Sequence, residues 1–351
     1  MAWWVVLFGG IGLLLASFLT AAPLFIGFLV VNIGGVIALA GTRGFSMVAN
    51  SIFDSANLAA LSAIPLFVLM GELLTRSGSV ERLFTAMDGL IGRVRGRQYV
   101  LTVLVSVIFG ALSGAAMAVA AMMGRSLYPA MVARGYDRKL SMGTILAGAS
   151  LAPVIPPSVL VVIIATLANV SVAKLLIAGI LPGLVAAVLF LGYVAWQIYR
   201  DPAKAPQSDV VPSRGLWGKI CALGLMAPFS IIIFCVMGLI LLGIATPTEA
   251  AAAGVMGALA VAAIYRTLSW AMVWSALEGT ALITAMIIVI LASSNLFGQL
   301  LAFTGATSDL VDFATAYSGN PYFLLFLMMA VVFLLCMFID QTALMLIVIP
   351  I

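Results

Sequence analysis

Long apolar runs dominate the chain, and short polar or proline-containing stretches interrupt them. A membrane-spanning helix needs about 20 apolar residues. Runs of that length lie at about 3–20, 22–41, 98–124, 140–170, 174–199, 220–243, 247–265 and 321–350. Two further apolar stretches, 46–74 and 275–303, contain polar or helix-breaking residues. Because the runs do not alternate as transmembrane β-strands do, the pattern predicts an all-α polytopic membrane protein.

The composition restricts the possible functions of the chain as well as its fold class. Of the 351 residues, 64% are hydrophobic and 8% are charged, whereas soluble domains carry about 25% charged residues. The mean hydropathy of +1.27 excludes a soluble enzyme, a disordered chain and a nucleic-acid binder. The net charge of +4 is the excess of basic loop residues that is typical of membrane proteins.

The sequence contains none of the common enzyme motifs. It has no histidine, which excludes the HExxH zinc motif and any Ser/His or Cys/His catalytic pair. The phosphate-binding motif GxxxxGK[ST] is absent, so we expect no ATP hydrolysis by this chain. Cys221, Cys235 and Cys336 stand alone in apolar surroundings and are predicted to be buried hydrophobes. We therefore expect a protein that is not an enzyme and has no cofactor.

The second half of the chain repeats a pattern from the first. The segment 69–74 (LMGELL) matches 296–301 (LFGQLL), and the same shift of 227 positions sets Ser113 and Gly114 opposite Asp340 and Gln341. Both matches fall where apolar runs are interrupted, and corresponding interruptions in two halves mark the binding site of secondary transporters. We therefore predict two inverted structural repeats, which follow scaffold helices in 1–45, are joined by a polar linker at 200–219, and occupy 46–199 and 220–351.

Each predicted repeat contains a re-entrant hairpin and a broken helix. The first repeat has a hairpin at 46–74, a surface arm helix at 80–97, a broken helix at 98–124 and helices in 140–199; the second has helices in 220–265, a hairpin at 275–303 and a broken helix at 321–351. We expect the two hairpin tips to approach the bilayer midplane from opposite sides. The arm has apolar positions at a period of about 3.6 residues, which predicts an amphipathic helix at the membrane surface, either a brace or a partner-binding element.

The helix interruptions are the candidate sites. Irregular backbone at membrane depth is tolerated only where it is buried in protein or lines a polar cavity. Its carbonyl and hydroxyl oxygens can coordinate a hard cation, and N–H groups at helix starts can hold a carboxylate. The interruptions lie at 62–65, 110–114, 152–158, 293–295 and 340–342. Close packing through small residues is the alternative for 110–114, and a simple kink is the alternative for the prolines.

Charged residues in the apolar runs differ in what they indicate. Asp340 is the only acid deep inside a long apolar run, which makes it a functional candidate. Two other acids are predicted to be structural: Glu72 pairs with Arg76 one turn later, and Glu249 completes a capping box with Thr246. Asp309 and Asp312 are placed in a solvated loop at 304–320 and are assigned no role.

Several short motifs, taken in order, resemble one transporter family. They are IPLFVLMG at 64–71, GALSG at 110–114, YPAM at 128–131, RGY at 134–136, IPPS at 155–158, AGILPG at 178–183 and TPTEAA at 246–251. In this order and at these separations they resemble the large membrane subunit (DctM-like) of tripartite ATP-independent periplasmic (TRAP) transporters. The resemblance covers essentially the whole chain.

The resemblance implies a multi-pass protein of the bacterial inner membrane that belongs to the ion-transporter superfamily. It implies sodium-coupled import of an organic acid, such as a C4-dicarboxylate or a sugar acid, by an elevator mechanism. The implied partners are a small membrane subunit (DctQ-like) and a periplasmic substrate-binding protein (DctP-like). Sodium also agrees with the lack of a series of titratable groups for a proton relay. A stand-alone carboxylate transporter of the same superfamily and a non-transporting membrane scaffold are the alternatives.

Matched residue by residue, the family's hairpin tips and unwound segments fall on the interruptions. The substrate-binding candidates are Ser113, Pro156, Pro157, Ser293, Asn295, Gln341 and Thr342, and the Na⁺ candidates are Ser62, Pro65, Gly110, Ser113, Gly114, Ser294, Asn295, Asp340 and Thr342. We expect Ser113, Asn295 and Thr342 to line one shared cavity. Ala115, Ala116 and Met117 stand where family members often have further serines. The chain also ends at Ile351 inside an apolar run, so we expect it to be truncated at its C-terminus.

Overall fold

Helices make up almost all of the described chain. The computed structural model describes residues 3–20, 23–90, 94–113, 116–206, 216–317, 321–337 and 341–349, and these residues contain no β-strand. The helices are α1 (Trp3–Leu19), α2 (Leu24–Ala40), α3 (Phe45–Asn57), α4 (Ala63–Arg76), α5 (Ser79–Leu90), α6 (Arg97–Ser113), α7 (Ala116–Ala133), α8 (Arg138–Leu151), α9 (Val159–Leu167), α10 (Val172–Arg200), α11 (Leu216–Leu241), α12 (Pro247–Ile264), α13 (Trp270–Phe303), α14 (Ala306–Tyr317), α15 (Pro321–Cys336) and α16 (Gln341–Val348). The all-α prediction is confirmed.

Several helices are long and apolar enough to cross a membrane. In the described ranges these are Val172–Arg200, Ala222–Leu241, Pro247–Ile264 and Trp270–Phe303, and the shorter apolar helices include α1 and α15. Large apolar side chains on their outer faces are exposed, for example Phe234 at 77% and Phe326 at 70%. Contact of these apolar side chains with lipid costs no free energy, whereas their contact with water is unfavourable. Two of the three cysteines share these outer faces: Cys235 and Cys336 are exposed rather than buried as predicted.

The chain forms two compact units. The first unit comprises Met1–Ala59, Thr166–Asn169 and Ile283–Ile351, and the second comprises Ala60–Ala165 and Val170–Leu282. Helix α13 therefore begins in the second unit and ends in the first. These units do not coincide with the two predicted repeats, and the inverted repeat remains a prediction.

Glycines allow close helix packing in the second unit, where α4 packs against α12 and α6 against α8. A Cβ atom on Gly254 of α12 would lie 2.5 Å from the sulfur of Met70 in α4. A Cβ atom on Gly148 of α8 would likewise lie 2.5 Å from the hydroxyl oxygen of Ser106 in α6. Membrane helices associate through such small residues because lipid provides no hydrophobic driving force between them.

The predicted arm helix packs against protein. Helix α5 covers only the first part of 80–97, and it buries Leu83, Ala86 and Met87 in the second unit, where it packs against α11. The guanidinium of Arg82 lies 4.3 Å from the ring centre of Tyr265, a cation–π contact. Burial raises the pKa of Tyr265, and the charge of Arg82 opposes the rise. The buried face fits a brace; the position at the membrane surface remains a prediction, and residues 91–93 lie outside the described ranges.

The first part of the predicted linker is docked on the second unit. Pro202–Lys204 forms a short 3-10 turn. Arg95 donates hydrogen bonds to the carbonyls of Pro202 at 2.6 Å and Ala205 at 3.2 Å, and the Tyr99 hydroxyl donates to the carbonyl of Lys204 at 2.9 Å. The interpretation of 200–219 as an extended linker is therefore wrong for its first residues; 207–215 lie outside the described part of the chain.

The hairpin predicted at 275–303 is wrong. Helix α13 runs without a break from Trp270 to Phe303, through Ser293, Ser294 and Asn295. No proline lies in this segment to remove a backbone donor, and the side chains of Ser294 and Asn295 have partners on other helices. The sequence at 304–320 is also not a loop, because α14 occupies most of it and carries Asp309 in its first turn, where the helix dipole favours an acid.

The other predicted interruptions lie close to helix ends. Between α3 and α4 the chain leaves the α-helix at Leu58 and forms a 3-10 turn at Ala59–Ser62. Pro65 then occupies the first turn of α4, where its missing N–H breaks no helical bond. Helix α6 ends at Ser113 and α7 begins at Ala116, with 114–115 outside the described ranges. The re-entrant path of 46–74 remains a prediction.

Candidate functional site

Helix α3 buries serines and exposes apolar residues. Ser51 and Ser55, one turn apart on the same face, are 1% and 0% exposed, whereas Ile52 and Phe53 are exposed. This arrangement is the reverse of a helix in a water-soluble protein, and it suits a helix whose outer face meets lipid. Buried hydroxyls need hydrogen-bond partners, and in the first unit these partners are on α13.

Two consecutive backbone carbonyls of α13 accept side-chain hydrogen bonds. The Ser51 hydroxyl donates to the carbonyl of Ala292 at 2.8 Å, and the side-chain amide of Asn32 in α2 donates to the carbonyl of Ser293 at 2.6 Å. Asn32 is fully buried and is the only polar residue in the sequence of α2. Its amide therefore joins α2 to the turn of α13 that the sequence marked as an interruption.

The next two residues of α13 use their own side chains. The Ser294 hydroxyl donates to the carbonyl of Leu346 in α16, and the side-chain amide of Asn295 donates to the Ser55 hydroxyl at 3.0 Å. Residues 292–295 thus make hydrogen bonds with α2, α3 and α16, and each of these bonds involves at least one side chain. These four hydrogen bonds explain why so polar a turn can stay helical in an apolar unit.

A cavity of about 270 Å³ lies beside this turn, wholly within the first unit. Its lining residues are Ser51, Asp54, Leu167, Asn295, Gly298, Gln299 and Ala302. Asp54 is the only charged residue among them. The volume is just below the usual range for small-molecule sites, which suits a small polar solute or a hydrated ion.

Two buried oxygens at the same turn have no hydrogen-bond partner within the described residues. They are the side-chain amide oxygen of Asn32 and the hydroxyl oxygen of Ser293, which are 0% and 3% exposed as residues. Unsatisfied buried polar atoms in native proteins call for an ordered water or a ligand. The polar turn of α13 is therefore only partly satisfied by protein groups.

In the proline segment of the second unit, a side chain of the segment itself provides hydrogen-bond partners for backbone groups. Between α8 and α9 the chain is not helical, and Pro156 and Pro157 are buried there. The Ser158 hydroxyl donates to the carbonyl of Pro153 at 2.7 Å and accepts from the N–H of Val161 at 3.4 Å, so it closes the loop and caps α9. The alternative of a simple kink is excluded, because a helix ends on one side and another begins on the other.

Glycines of α10 and α6 receive this proline segment. A Cβ atom on Gly179 would lie 2.8 Å from the carbonyl oxygen of Val154, and one on Gly183 would lie 2.6 Å from the side chain of Ile155. On α6, a Cβ atom on Gly110 would lie 2.7 Å from the Cα atom of Ala152. Gly110 is inside α6, so for this residue the packing alternative holds rather than a helix break.

The structure brings together only some of the predicted site residues. Ser293, Ser294, Asn295 and Gln341 belong to the first unit; Ser62, Pro65, Gly110, Ser113, Pro156 and Pro157 belong to the second. The Ser62 hydroxyl lies 3.5 Å from that of Thr248. Gly114 and Asp340 lie outside the described residues, and so do the side chains of Ser113 and Thr342, so the predicted shared cavity remains a prediction.

The contacts predicted for Glu72 and Glu249 are confirmed. Nε of Arg76 bonds the Glu72 carboxylate at 2.7 Å, and a Cβ atom on Gly279 of α13 would lie 3.0 Å from that carboxylate. Thr246 and Glu249 form the predicted capping box at the start of α12.

Sequence reasoning missed several residues of the first-unit site: Asn32, Ser51, Asp54, Ser55 and Gln299. Signals for them existed. One asparagine in an otherwise apolar run is costly in a membrane, and the 51/55 and 295/299 pairs have the four-residue spacing of a common helix face.

The comparison with known families identifies the class. The family model described as the DctM component of tripartite ATP-independent periplasmic transporters matches residues 11–351. The chain belongs to this family. It is therefore the large permease subunit of a TRAP transporter, a multi-pass protein of the bacterial inner membrane, and no enzymatic family is indicated.

Relatives named for different solutes resemble the chain to similar degrees. It is 30% identical to the ectoine TRAP transporter large permease protein TeaC of Halomonas elongata, over 97% of this chain and 78% of that protein. It is 29% identical to the sialic acid permease SiaM of Vibrio cholerae, over 98% and 78%. It is also 29% identical to the C4-dicarboxylate permease DctM of Pseudomonas aeruginosa, over 86% and 69%.

Proposed function

We propose that the chain is the permease subunit of a sodium-coupled importer of a small organic acid. The observation that carries this proposal is the partly satisfied polar turn of α13 at 292–295, which lies beside a cavity in an otherwise apolar unit. Buried polar groups in a membrane protein are costly and mark substrate and ion pathways. The solutes named for the relatives, ectoine, sialic acid and C4-dicarboxylates, each carry at least one carboxylate.

Sodium as coupling ion rests on the kind of groups available. Na⁺ needs only oxygen ligands, which serine hydroxyls, asparagine amides and backbone carbonyls supply. A proton relay needs a series of titratable groups, and the chain has no histidine. Among the sodium candidates Ser294 and Asn295 are the ones at the polar turn, and both keep an oxygen that can accept a further partner.

Two sodium candidates have structural explanations. Gly110 lies in α6 against Ala152, and Pro65 lies in the first turn of α4. We retain Ser62, Ser113, Gly114, Asp340 and Thr342 as proposed ligands, together with Pro156, Pro157, Ser293 and Gln341 for substrate.

The proposed transporter works with two partners. A small membrane subunit would hold the scaffold, and a periplasmic binding protein would deliver the substrate and select it. Movement of one part of the permease against the other by an elevator mechanism completes the proposal, which draws on the family to which the chain belongs.

Uptake by the reconstituted complex tests the proposal. The permease is reconstituted in liposomes with the proposed small membrane subunit and periplasmic binding protein. Uptake of labelled succinate, sialic acid and ectoine is measured with an inward gradient of Na⁺ or of choline. We expect uptake of one of these acids with Na⁺ only. Uptake driven equally well by a pH gradient without sodium would contradict sodium coupling, and uptake without the partners would favour a stand-alone transporter.

An asparagine pair provides the matched test of the site. Asn295→Ala removes the amide that bonds Ser55, and we expect at least about a tenfold loss of sodium-dependent uptake. Asn57→Ala removes an exposed amide that bonds only the carbonyl of Phe53 in its own helix, at 3.0 Å. We expect this control to transport like the wild type. Equal uptake by both variants and the wild type, at equal expression, would mean that the polar turn only supports packing.

A further inference from the structure

The two ends of α10 differ in their chemistry. The helix has 29 residues, which makes it about 43 Å long and long enough to reach both headgroup layers of a bilayer. Its first turns carry one exposed charge, Lys174, and no aromatic residue. Its C-terminal part exposes Tyr193, Trp196, Tyr199 and Arg200. Only this end therefore combines the aromatic and basic residues that are typical of contact with lipid headgroups.

The side chains at the C-terminal end of α10 form one connected surface. The ring centres of Tyr193 and Trp196 are 5.9 Å apart, and the guanidinium of Arg200 lies 5.4 Å from the centre of the Trp196 ring, a cation–π contact. The side-chain amide of Gln197 donates to the Tyr193 hydroxyl at 2.7 Å, and the ammonium of Lys204 donates to the amide oxygen of Gln197 at 2.7 Å. These contacts join two cations to one pair of aromatic rings.

The two cations are not neutralised by protein groups that the structure describes. The ion pairs within the described ranges include neither Arg200 nor Lys204. The adjacent acid, Asp201, uses a carboxylate oxygen to accept from a backbone N–H of the following 3-10 turn at 3.2 Å. Both cations keep N–H groups that can bind an external anion.

A second basic segment lies at the same end of the unit. The N–H of Asp137 donates to the carbonyl of Lys204 at 3.2 Å, which brings the segment 134–139 next to 200–204. Together these two segments contain five basic and two acidic residues. Their combined positive charge attracts anions to this end of the second unit.

An apolar surface leads along α10 to these cations. Exposed positions recur at a period of about 3.6 residues and so form a straight stripe on one helix face: Leu181, Val185, Val188, Gly192, Trp196 and Tyr199. Gly192 leaves open space in the stripe, because nothing lies within 4 Å of an added Cβ atom. An anionic phospholipid matches both parts of this surface, with apolar chains and a charged phosphate, whereas a soluble anion matches only the cations.

We propose that the C-terminal end of α10 binds one anionic phospholipid. Arg200 and Lys204 hold the headgroup phosphate, the rings of Tyr193 and Trp196 lie at headgroup level, and the acyl chains lie along the stripe. The guanidinium of Arg200 suits this role because its planar fork can donate two parallel hydrogen bonds to phosphate oxygens. The inference does not depend on the coupling ion or on the transported solute.

Native mass spectrometry of the purified permease in detergent tests the site. The permease is titrated with phosphatidylglycerol and with phosphatidylcholine of the same acyl chains, which differ in net charge. Each basic residue near the headgroups contributes about fivefold in affinity for an anionic lipid. We expect phosphatidylglycerol to bind at least about tenfold more tightly than phosphatidylcholine, because two such residues contribute. Equal affinities for the two lipids would overturn the proposal.

A charge at each end of α10 provides matched variants. Arg200→Gln is expected to weaken binding of phosphatidylglycerol about fivefold and to leave binding of phosphatidylcholine unchanged. Lys174→Gln, at the other end of the helix, is expected to bind phosphatidylglycerol like the wild type. Both side chains are exposed, so both variants are expected to fold, and thermal unfolding by circular dichroism checks this. Equal loss in the two variants would contradict a localised site.

Two additions separate lipid from other occupants. Inorganic phosphate in large molar excess is expected not to displace phosphatidylglycerol, because it lacks the acyl chains; displacement would mean that the surface is a simple anion site. The titration is then repeated with the proposed small membrane subunit present, and the preference for phosphatidylglycerol is expected to persist. Loss of that preference would show that protein, rather than lipid, covers this face of α10.

Discussion

Two segments that interrupt the apolar pattern of the sequence have opposite structures. The segment at 152–158 contains three prolines and leaves the helix, with its backbone closed by Ser158. The segment at 293–295 contains two serines and an asparagine, and it stays within the 34 residues of α13. Proline removes a donor from the backbone and clashes with the preceding turn, whereas serine and asparagine only add side-chain groups. Polar residues in an apolar run thus predict partners, and only proline predicts a break.

A proline placed in α13 is the strongest way to break this comparison. Ser294→Pro removes a helical hydrogen bond in the middle of the helix, and we expect a loss of about 3 kcal/mol or more in the free energy of unfolding. The measurement is unfolding by sodium dodecyl sulfate in mixed micelles, followed by circular dichroism. Ala271→Pro, in the first turn of α13, is the control and should unfold like the wild type. A wild-type midpoint for Ser294→Pro would show that this turn is not helical in the protein.

Closing the space beside the proline segment should have the next largest effect. In Gly110→Ala the new methyl group would lie 2.7 Å from the backbone of Ala152, and overpacking of this kind costs about 2 kcal/mol. Gly124→Ala in α7 is the control, because nothing lies within 4 Å of its added Cβ atom. Alanine in an open helical position stabilises by about 0.5–1 kcal/mol. The two variants should therefore shift the unfolding midpoint in opposite directions; shifts of the same sign would contradict the packing described for α6.

Removing the hydroxyl that closes the proline segment should cost less. Ser158→Ala deletes the bond to the Pro153 carbonyl and the cap of α9, with an expected loss of about 1–2 kcal/mol. Ser150→Ala removes an exposed hydroxyl that bonds only the carbonyl of Ala147 in its own helix. We expect a change below about 0.5 kcal/mol for that control. Equal midpoints for the two variants would mean that the break is held by the prolines alone.

The smallest loss of stability is expected when a side-chain hydrogen bond to the unbroken helix α13 is removed. Asn32→Leu removes a donor from the carbonyl of Ser293, and that carbonyl is also part of the helical hydrogen-bond ladder. Side-chain hydrogen bonds between membrane helices contribute about 0.6 kcal/mol on average, so a loss near that value is expected in the same unfolding assay. Asn57→Leu, at an exposed amide, is the control. A loss as large as that of Ser294→Pro would show that Asn32 holds the helical turn together.

The sequence predicts helix boundaries well where neighbouring residues determine them. The runs at 3–20 and 22–41 become Trp3–Leu19 and Leu24–Ala40, because Pro23 precedes the second helix and Gly41, with a φ of 61°, ends it. The capping box at Thr246 places the start of α12 for the same reason. In each case a residue and its immediate neighbours determine the helix end.

The site is harder to predict because its partners are distant in sequence. Three of the four hydrogen bonds at residues 292–295 join residues that are separated by 240, 241 and 261 positions in the sequence. The fourth joins Ser294 to Leu346. Nothing near Ser293 in the sequence shows that Asn32 will be available to it. The cavity residues were missed for a related reason, since the inward direction of Ser51 is visible only once α3 has packed against its neighbours.

The docked start of the linker sets an order of events during synthesis. Arg95 bonds carbonyls that are 107 and 110 residues further along the chain. At a translation rate of about 5–20 residues per second, these acceptors appear about 5–20 s after Arg95 leaves the ribosome. During that interval water, lipid headgroups or the insertion machinery must solvate the guanidinium. The fold around the N-terminus of α6 is thus completed only after α10 has been inserted.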